Sequence, residues 1–289
     1  MPPSKRARKG AAPPASSSGA AALTLEGEIC ALGRQLSDRR RAGKFVDIEV
    51  RAGGTIFAAH RVVLASTSDF FSTLFDSGMR DADSNMVILD DVPAATFQSV
   101  LDFVYEGRCD IEESMLPLVL EAAARLQVLP LLSAATKATT SRLSAKNALA
   151  TWAYAERLML PDLVASARST ALSEFTTVAT SDELLSASHA MLCALLADDR
   201  CTLQSEETAF EAVVRWLEHQ TPPVEEASAI ALLGCVRFGC LSPAYTQGRV
   251  RSLPLLQTAA GKDMLLDALL STTKPNARTQ PHIEWQTFH

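Results

Sequence analysis

The sequence predicts an α+β domain followed by an all-α domain, and three observations carry that division. Between residues 46 and 52 apolar and polar side chains alternate singly, which is the period of a strand. From Asp90 onward apolar residues recur every three or four positions, which is the period of a helix. Breaks near Pro161, Ser181-Asp182 and Pro222-Pro223 then cut the second half into many short helices.

Residues 1–22, MPPSKRARKG followed by Ala, Pro, Ser and Gly, have nothing to bury and predict a disordered tail. Lys5, Arg6, Arg8 and Lys9 stand there with no acid among them, a tract that fits either a nuclear import signal or a solubilising tail. In residues 23–42, Leu25, Ile29, Leu32 and Leu36 fall at i, i+4, i+7 and i+11, so the spacing predicts one helix with a single apolar stripe. Either its own core or a second copy of the chain must cover that stripe.

Val46, Ile48 and Val50 alternate with Asp47 and Glu49, and Ala52-Gly53-Gly54 leads into Thr55-Ile56-Phe57, which predicts a hairpin. After His60, Val62 to Ala65 start a helix. A second short helix holds Phe70, Phe71, Leu74 and Phe75 and stops at Ser77-Gly78. Met86 to Leu89 predict a short buried strand. Asp91 and Pro93 then suit a helix start, with Phe97, Val100, Leu101 and Val104 as its buried face and Gly107 as its end. Residues 114–129 repeat the pattern with Leu118, Ala122 and Leu126, and Phe210, Val213, Val214 and Leu217 mark one of the best formed later helices.

A net charge of −6 argues against a general phosphate-binding surface, so nucleic acid is not an expected partner. Six cysteines form no CxxC pair and meet no histidine at metal-ligand spacing, so neither a metal nor another cofactor is expected. No apolar run reaches the ~18 residues of a membrane span. With no apolar-cored leader in view, the expectation is a soluble protein of the cytoplasm and/or nucleus.

No glycine-rich phosphate loop follows a strand, and no Ser, His and acid fall into a nucleophile motif. The acid pairs Asp90-Asp91, Asp198-Asp199 and Glu206-Glu207 lie at predicted helix starts or turns, where they complement the helix dipole. Trp152, Tyr154 and Trp216 sit on apolar helical patterns as core. An enzyme is therefore not expected.

The stretch GKFVDIEV…FAAHRVVLASTSDFFSTLF (Gly43 to Phe75), with FQSVLDFVYEGRCDI at 97–111 and AAARLQV at 122–128, resembles a BTB/POZ domain. LSAKNALATWAYAERLMLPDL at 143–163, ETAFEAVVRWLEH at 207–219 and VRFGCLS at 236–242 resemble the BACK domain of Kelch-like proteins. The resemblance implies an α+β BTB/POZ domain at 23–138 and an all-α BACK helical domain at 139–270. A C-terminal tail follows at 271–289, and this chain carries no Kelch propeller.

What the resemblance implies goes further. Such domains form a homodimer through the first helix, here Leu25, Ile29, Leu32 and Leu36, and Asp47, His60 and Arg61 match the charged positions of the dimer-facing groove. They recruit a type-3 cullin through a hydrophobic residue, any residue, then Glu; this chain has Met79-Arg80-Asp81 there, with Asp shortening the arm by one methylene. Phe75 and Tyr105 would flank that surface, and Leu143 and Asn147 would extend it with a groove for the cullin's N-terminal extension. The expected function is a dimeric scaffold that adapts an unknown protein substrate to a cullin-RING ubiquitin ligase. The alternative is a nuclear BTB scaffold that recruits transcriptional regulators.

Overall fold

The computed structural model describes residues 22–26, 31–76 and 85–270, which fall into two units dividing between Thr136 and Lys137. In the first unit, a strand β1 (Ala22–Glu26) and a helix α1 (Ala31–Arg41) stand where the leucine spacing predicts one helix. Leu25 belongs to two patterns at once, and the shorter one prevails. Leu23 and Leu25 bury on one side while Thr24 turns outward and donates to Asp110 Oδ1 at 2.6 Å. β1 pairs antiparallel with β5 (Arg108–Glu112), setting Leu23 opposite Ile111 and Leu25 opposite Cys109, so four apolar side chains share one face.

The predicted hairpin is present as β2 (Ile48–Ala52) and β3 (Thr55–Ala59), and β4 (Met86–Leu89) runs parallel to β2 on its other side. Ile48, Val50 and Ala52 face inward. Gly53 turns the hairpin at φ +51, where a Cβ would also lie 2.5 Å from the backbone nitrogen of Ala94, so no larger residue fits. Helices α2 (Arg61–Thr67), α3 (Asp69–Asp76) and α4 (Ala94–Glu106) follow, with Phe71, Phe97, Val100 and Leu101 fully buried.

Gly107 closes α4 in the left-handed region and donates to the Phe103 carbonyl at 2.8 Å, as expected of a glycine stop. Asp91 does not cap α4. Pro93 occupies the cap position, and Asp91 instead accepts from Arg125 Nη1 at 2.7 Å. α5 (Leu116–Arg125) and the residue after it bury Ala122 and Leu126 as expected, together with Val119, Leu120 and Ala123, and leave only Leu118 of the expected face exposed. The last helix of this stretch, α6 (Leu129–Thr140), contains the division between the units.

The second unit is all-α: α7 (Ala148–Arg157), α8 (Pro161–Ser173), α9 (Phe175–Thr180), α10 (His189–Leu196), α11 (Glu206–His219), α12 (Glu226–Leu233), the single turn α13 (Pro243–Tyr245) and α14 (Ala259–Leu270). One core runs through it, from Trp152 and Phe175 to Phe210, Trp216 and Phe238. Trp152 and Trp216 are buried with their N–H groups satisfied. Trp152 donates to Glu156 Oε1 at 2.7 Å and Trp216 to the Ala187 carbonyl at 2.9 Å. Tyr154 is only half-buried and stacks under Arg157, 5.3 Å from ring centre to guanidinium.

Asp198 follows α10 and is held by two arginines. Arg200 grips its carboxylate through Nε at 3.0 Å and Nη2 at 2.8 Å, and Arg168 adds Nη2 at 3.0 Å. The Arg200 bonds, with those of Arg168, hold the Asp198 carboxyl well below the usual carboxylate range. A depressed folded-state pKa supplies stability at neutral pH that is lost as pH falls through and below the ordinary carboxylate range. Asp198→Asn is therefore expected to lower Tm at pH 7 by about 2–4 °C. The gap between variant and parent should close toward pH 2, and thermal scans across pH test this. An equal gap at every pH would refute the electrostatic account.

Candidate functional site

The residues the sequence marks in the first unit fall into two linked clusters. In the first, the exposed Asp47 accepts the backbone N–H of Arg61 at 2.7 Å, and Arg61 Nε donates back to the Asp47 carbonyl at 3.4 Å. The same guanidinium lies 4.8 Å from the ring centre of Phe75, which stacks on Phe71 at 5.8 Å. Arg61 thereby ties the edge of β2 to the last turn of α3.

The second cluster is buried. His60 Nε2 lies 3.2 Å from the Lys44 carbonyl, which only accepts, so Nε2 carries the proton and Nδ1 has the lone pair. The Tyr105 hydroxyl therefore donates to Nδ1 at 2.8 Å and accepts the His60 backbone N–H at 2.9 Å. Arg40 covers the tyrosine ring at 5.2 Å, and its Nη2 reaches Asp102 at 3.8 Å. Burial pushes the pKa of both Tyr105 and Asp102 upward.

The two clusters join residues that the resemblance assigns to different roles. Arg61 touches Phe75, and His60 touches Tyr105, so the groove positions and the cullin-facing positions are directly packed. Tyr105 is 2% exposed; its hydroxyl is committed to His60 and its side chain does not present a surface. Leu32 is 61% exposed on α1 and Leu36 is half-buried, while Leu25 lies in β1. Ile29, Met79, Asp81 and the basic residues Lys5, Arg6, Arg8 and Lys9 lie outside the described residues.

In the second unit Leu143 is half-buried against the helical core, and Asn147 fastens the loop before α7. Its Oδ1 accepts the Ser144 N–H at 2.8 Å and its Nδ2 donates to the Arg142 carbonyl at 2.9 Å. The α7 N-terminus is served by Glu183, whose Oε1 accepts the Ala150 N–H at 2.7 Å, and burial raises the pKa of that carboxyl.

Two cavities were not foreseen. One of about 710 Å³ opens between α1, α2, α4 and the turn into α6, lined by Gly33, Phe103, Gln127 and Leu129. Gly33 is required there, because a Cβ would come 2.2 Å from the Tyr105 carbonyl oxygen. The other, about 650 Å³, lies along the α7–α8 hairpin and is lined by Met159, Leu160, Pro161 and Val164. Met159 is 85% exposed and sits at φ +54, an unusual place for an unbranched apolar residue. Only Pro161, which opens α8, hinted at a break near that turn. Among the described residues no three acids, histidines or cysteines are placed to hold a metal ion, and no helix is long and apolar enough to cross a membrane.

Residues 36–143 match the BTB/POZ domain family, and residues 148–251 match the BACK family, described as BTB And C-terminal Kelch. The chain is a BTB/POZ–BACK protein of the Kelch-like type. Kelch-like protein 2 of Homo sapiens is 29% identical over 235 residues, which cover 81% of this chain and 40% of that protein. Kelch-like protein 3 of Danio rerio is 30% identical over 225 residues, 77% of this chain and 37% of that protein. Among solved structures, the BTB domain of zebrafish PATZ1 matches with a TM-score of 0.35 and 22% identity, over 38% of this chain and 89% of that one. The chain thus spans well under half the length of these Kelch-like relatives.

Proposed function

We propose that this chain is a dimeric interaction scaffold that adapts a protein substrate to a cullin-RING ubiquitin ligase. The observation that carries the reading is the succession of a BTB/POZ and a BACK match along one chain, the arrangement of its Kelch-like relatives. In this reading the BTB/POZ domain takes in 23–138 and the BACK domain 139–270. The type-3 cullin docks on Phe75, Met79 and Asp81, an apolar anchor beside a carboxylate. Because Tyr105 is buried behind His60, its part is to hold α4 and β3 in place rather than to touch the partner.

The cavity beside Met159 adds a trough on the first BACK hairpin, apolar at Met159, Leu160 and Val164 and charged at Glu156, Arg168 and Arg200, that suits the cullin's N-terminal extension, with Leu143 and Asn147 holding the loop that leads into α7. Dimerisation through the α1 region would present two cullins and two substrate sites, so that weak single contacts gain from effective concentration. Catalysis belongs to the partners.

Calorimetric titration of the full chain with the N-terminal domain of a type-3 cullin tests the reading. The parent is expected to bind. Phe75→Ala, Met79→Ala and Asp81→Lys are each expected to weaken binding by about 30-fold or more, the scale of a buried interface anchor. A folded, dimeric parent that does not bind would overturn the adaptor role and bring the nuclear scaffold forward.

A further inference from the structure

Arginine stands three residues before a serine or threonine at two places, Arg34 before Ser37 and Arg249 before Ser252. The fold treats the two serines differently. Ser37 is 1% exposed on α1, and its hydroxyl donates to Glu106 Oε1 at 2.9 Å. Ser252 is exposed, and its hydroxyl donates within its own turn, to the Arg249 carbonyl at 2.7 Å. It follows the π-helical turn Thr246–Val250, which continues α13 and is anchored by the fully buried Val250. One residue later the chain leaves the helix. Leu253 takes φ −73 and ψ 117, the extended backbone favoured before a proline, and Pro254 follows it. Ser252 therefore stands at an exposed exit from a helical turn, with arginines at 249 and 251 before it and a leucine after it.

Arg249 is engaged while the turn is closed. Its Nε and Nη2 donate to the Glu211 carboxylate of α11, both at 2.9 Å, and the Tyr245 hydroxyl donates to the same group. Arg249 and Glu211 are 40% and 47% exposed, so solvent screens the pair and it opens at little cost. Opening frees a planar guanidinium three residues before the serine. Its rigid fork of donors is held in two places by an acidic groove, which a lysine ammonium cannot match.

We propose that Ser252 is a phosphorylation site for an arginine-directed serine kinase, gated by the Glu211–Arg249 ion pair. The kinase's acidic groove takes Arg249 from Glu211, and its active site receives the Ser252 hydroxyl. A kinase carboxylate accepts the Oγ proton and Oγ bonds to the γ-phosphorus of magnesium-bound ATP. The bond from that phosphorus to the bridging oxygen breaks, and its electron pair leaves with ADP. The phosphate brings a charge of about −1.5 to −2 at pH 7 to a residue that was neutral, and Oγ no longer donates to the Arg249 carbonyl. Ser37 has the same spacing from an arginine but offers no hydroxyl to a kinase, because it is packed against Glu106.

Incubation of the full chain with magnesium-ATP and the catalytic domain of a calmodulin-dependent kinase, which reads an arginine three residues before serine, tests the proposal. Phosphopeptide mass spectrometry follows each site. Ser252 is expected to take phosphate while Ser37 does not. Arg249→Lys keeps a positive charge opposite Glu211 but loses the fork, and should slow Ser252 by about tenfold or more. Glu211→Gln, assayed below its unfolding transition, frees Arg249 and should speed Ser252 by about three- to fivefold, the worth of an exposed ion pair. A folded parent that takes no phosphate at Ser252 would overturn the proposal, as would an Arg249→Lys rate equal to the parent's. A Glu211→Gln rate at or below the parent's would overturn the gate. The site map of the parent needs no variant, so a variant that fails to fold leaves the proposal open to refutation.

Discussion

Phe210→Ala is expected to destabilise the helical unit by about 3–5 kcal/mol, the cost of removing a buried aromatic ring from a close-packed core. Phe210 is fully buried on α11, with Phe238 edge-on at 6.1 Å and Tyr245 perpendicular at 5.9 Å. Its neighbours cannot fall into the gap, because Tyr245 is tied by its hydroxyl to Glu211, and Glu211 in turn accepts from Arg249 Nε and Nη2, both at 2.9 Å. Cavity and lost ring contacts therefore add. Thermal denaturation should show Tm lower by about 8–16 °C. Phe210→Leu keeps most of the volume and should cost under about 1.5 kcal/mol. A fall of less than about 3 °C for Phe210→Ala would mean that the ring does not hold these three elements together.

Tyr105→Phe is expected to cost about 2–4 kcal/mol, although it removes a single oxygen. The hydroxyl satisfies two groups of one residue, the His60 backbone N–H and the His60 Nδ1, and His60 is 4% exposed. Without it a donor and an acceptor stay buried with no partner, and the ring packing under Arg40 is otherwise unchanged. Urea unfolding should show a lower midpoint with an unchanged slope. A loss below about 0.5 kcal/mol would show that water replaces the hydroxyl and that the second cluster is open. In the adaptor reading the same change should weaken cullin binding less than Phe75→Ala does, since Tyr105 supports the surface from behind.

Much of the architecture was legible because it depends on local rules. The alternation Ile48-Val50-Ala52, the double glycine at 53–54 and the glycine stop at 107 act within a few residues of themselves, and each appears where the sequence predicts it. Trp152 and Trp216 read as core for the same reason, since helical spacing alone puts them on buried faces. Asp47, His60, Arg61 and Phe75 were singled out by family motifs alone, since their chemistry carries no period.

Where the reading failed, a distant partner decided. Leu25 fits a helical stripe and a strand equally well, and the tie was broken by Cys109 and Ile111, more than eighty residues away, which offer an apolar face to pair with. Asp91 looked like a helix cap until Arg125 was folded against it. The role of Tyr105 turned on which side of α4 faces His60. The sequence by itself determined the class of fold and the order of most elements, β1 excepted, because propensity, period and turn chemistry are properties of short segments. Tertiary structure alone decided which polar groups meet and which side chains reach the surface, because those contacts join segments that share no local rule.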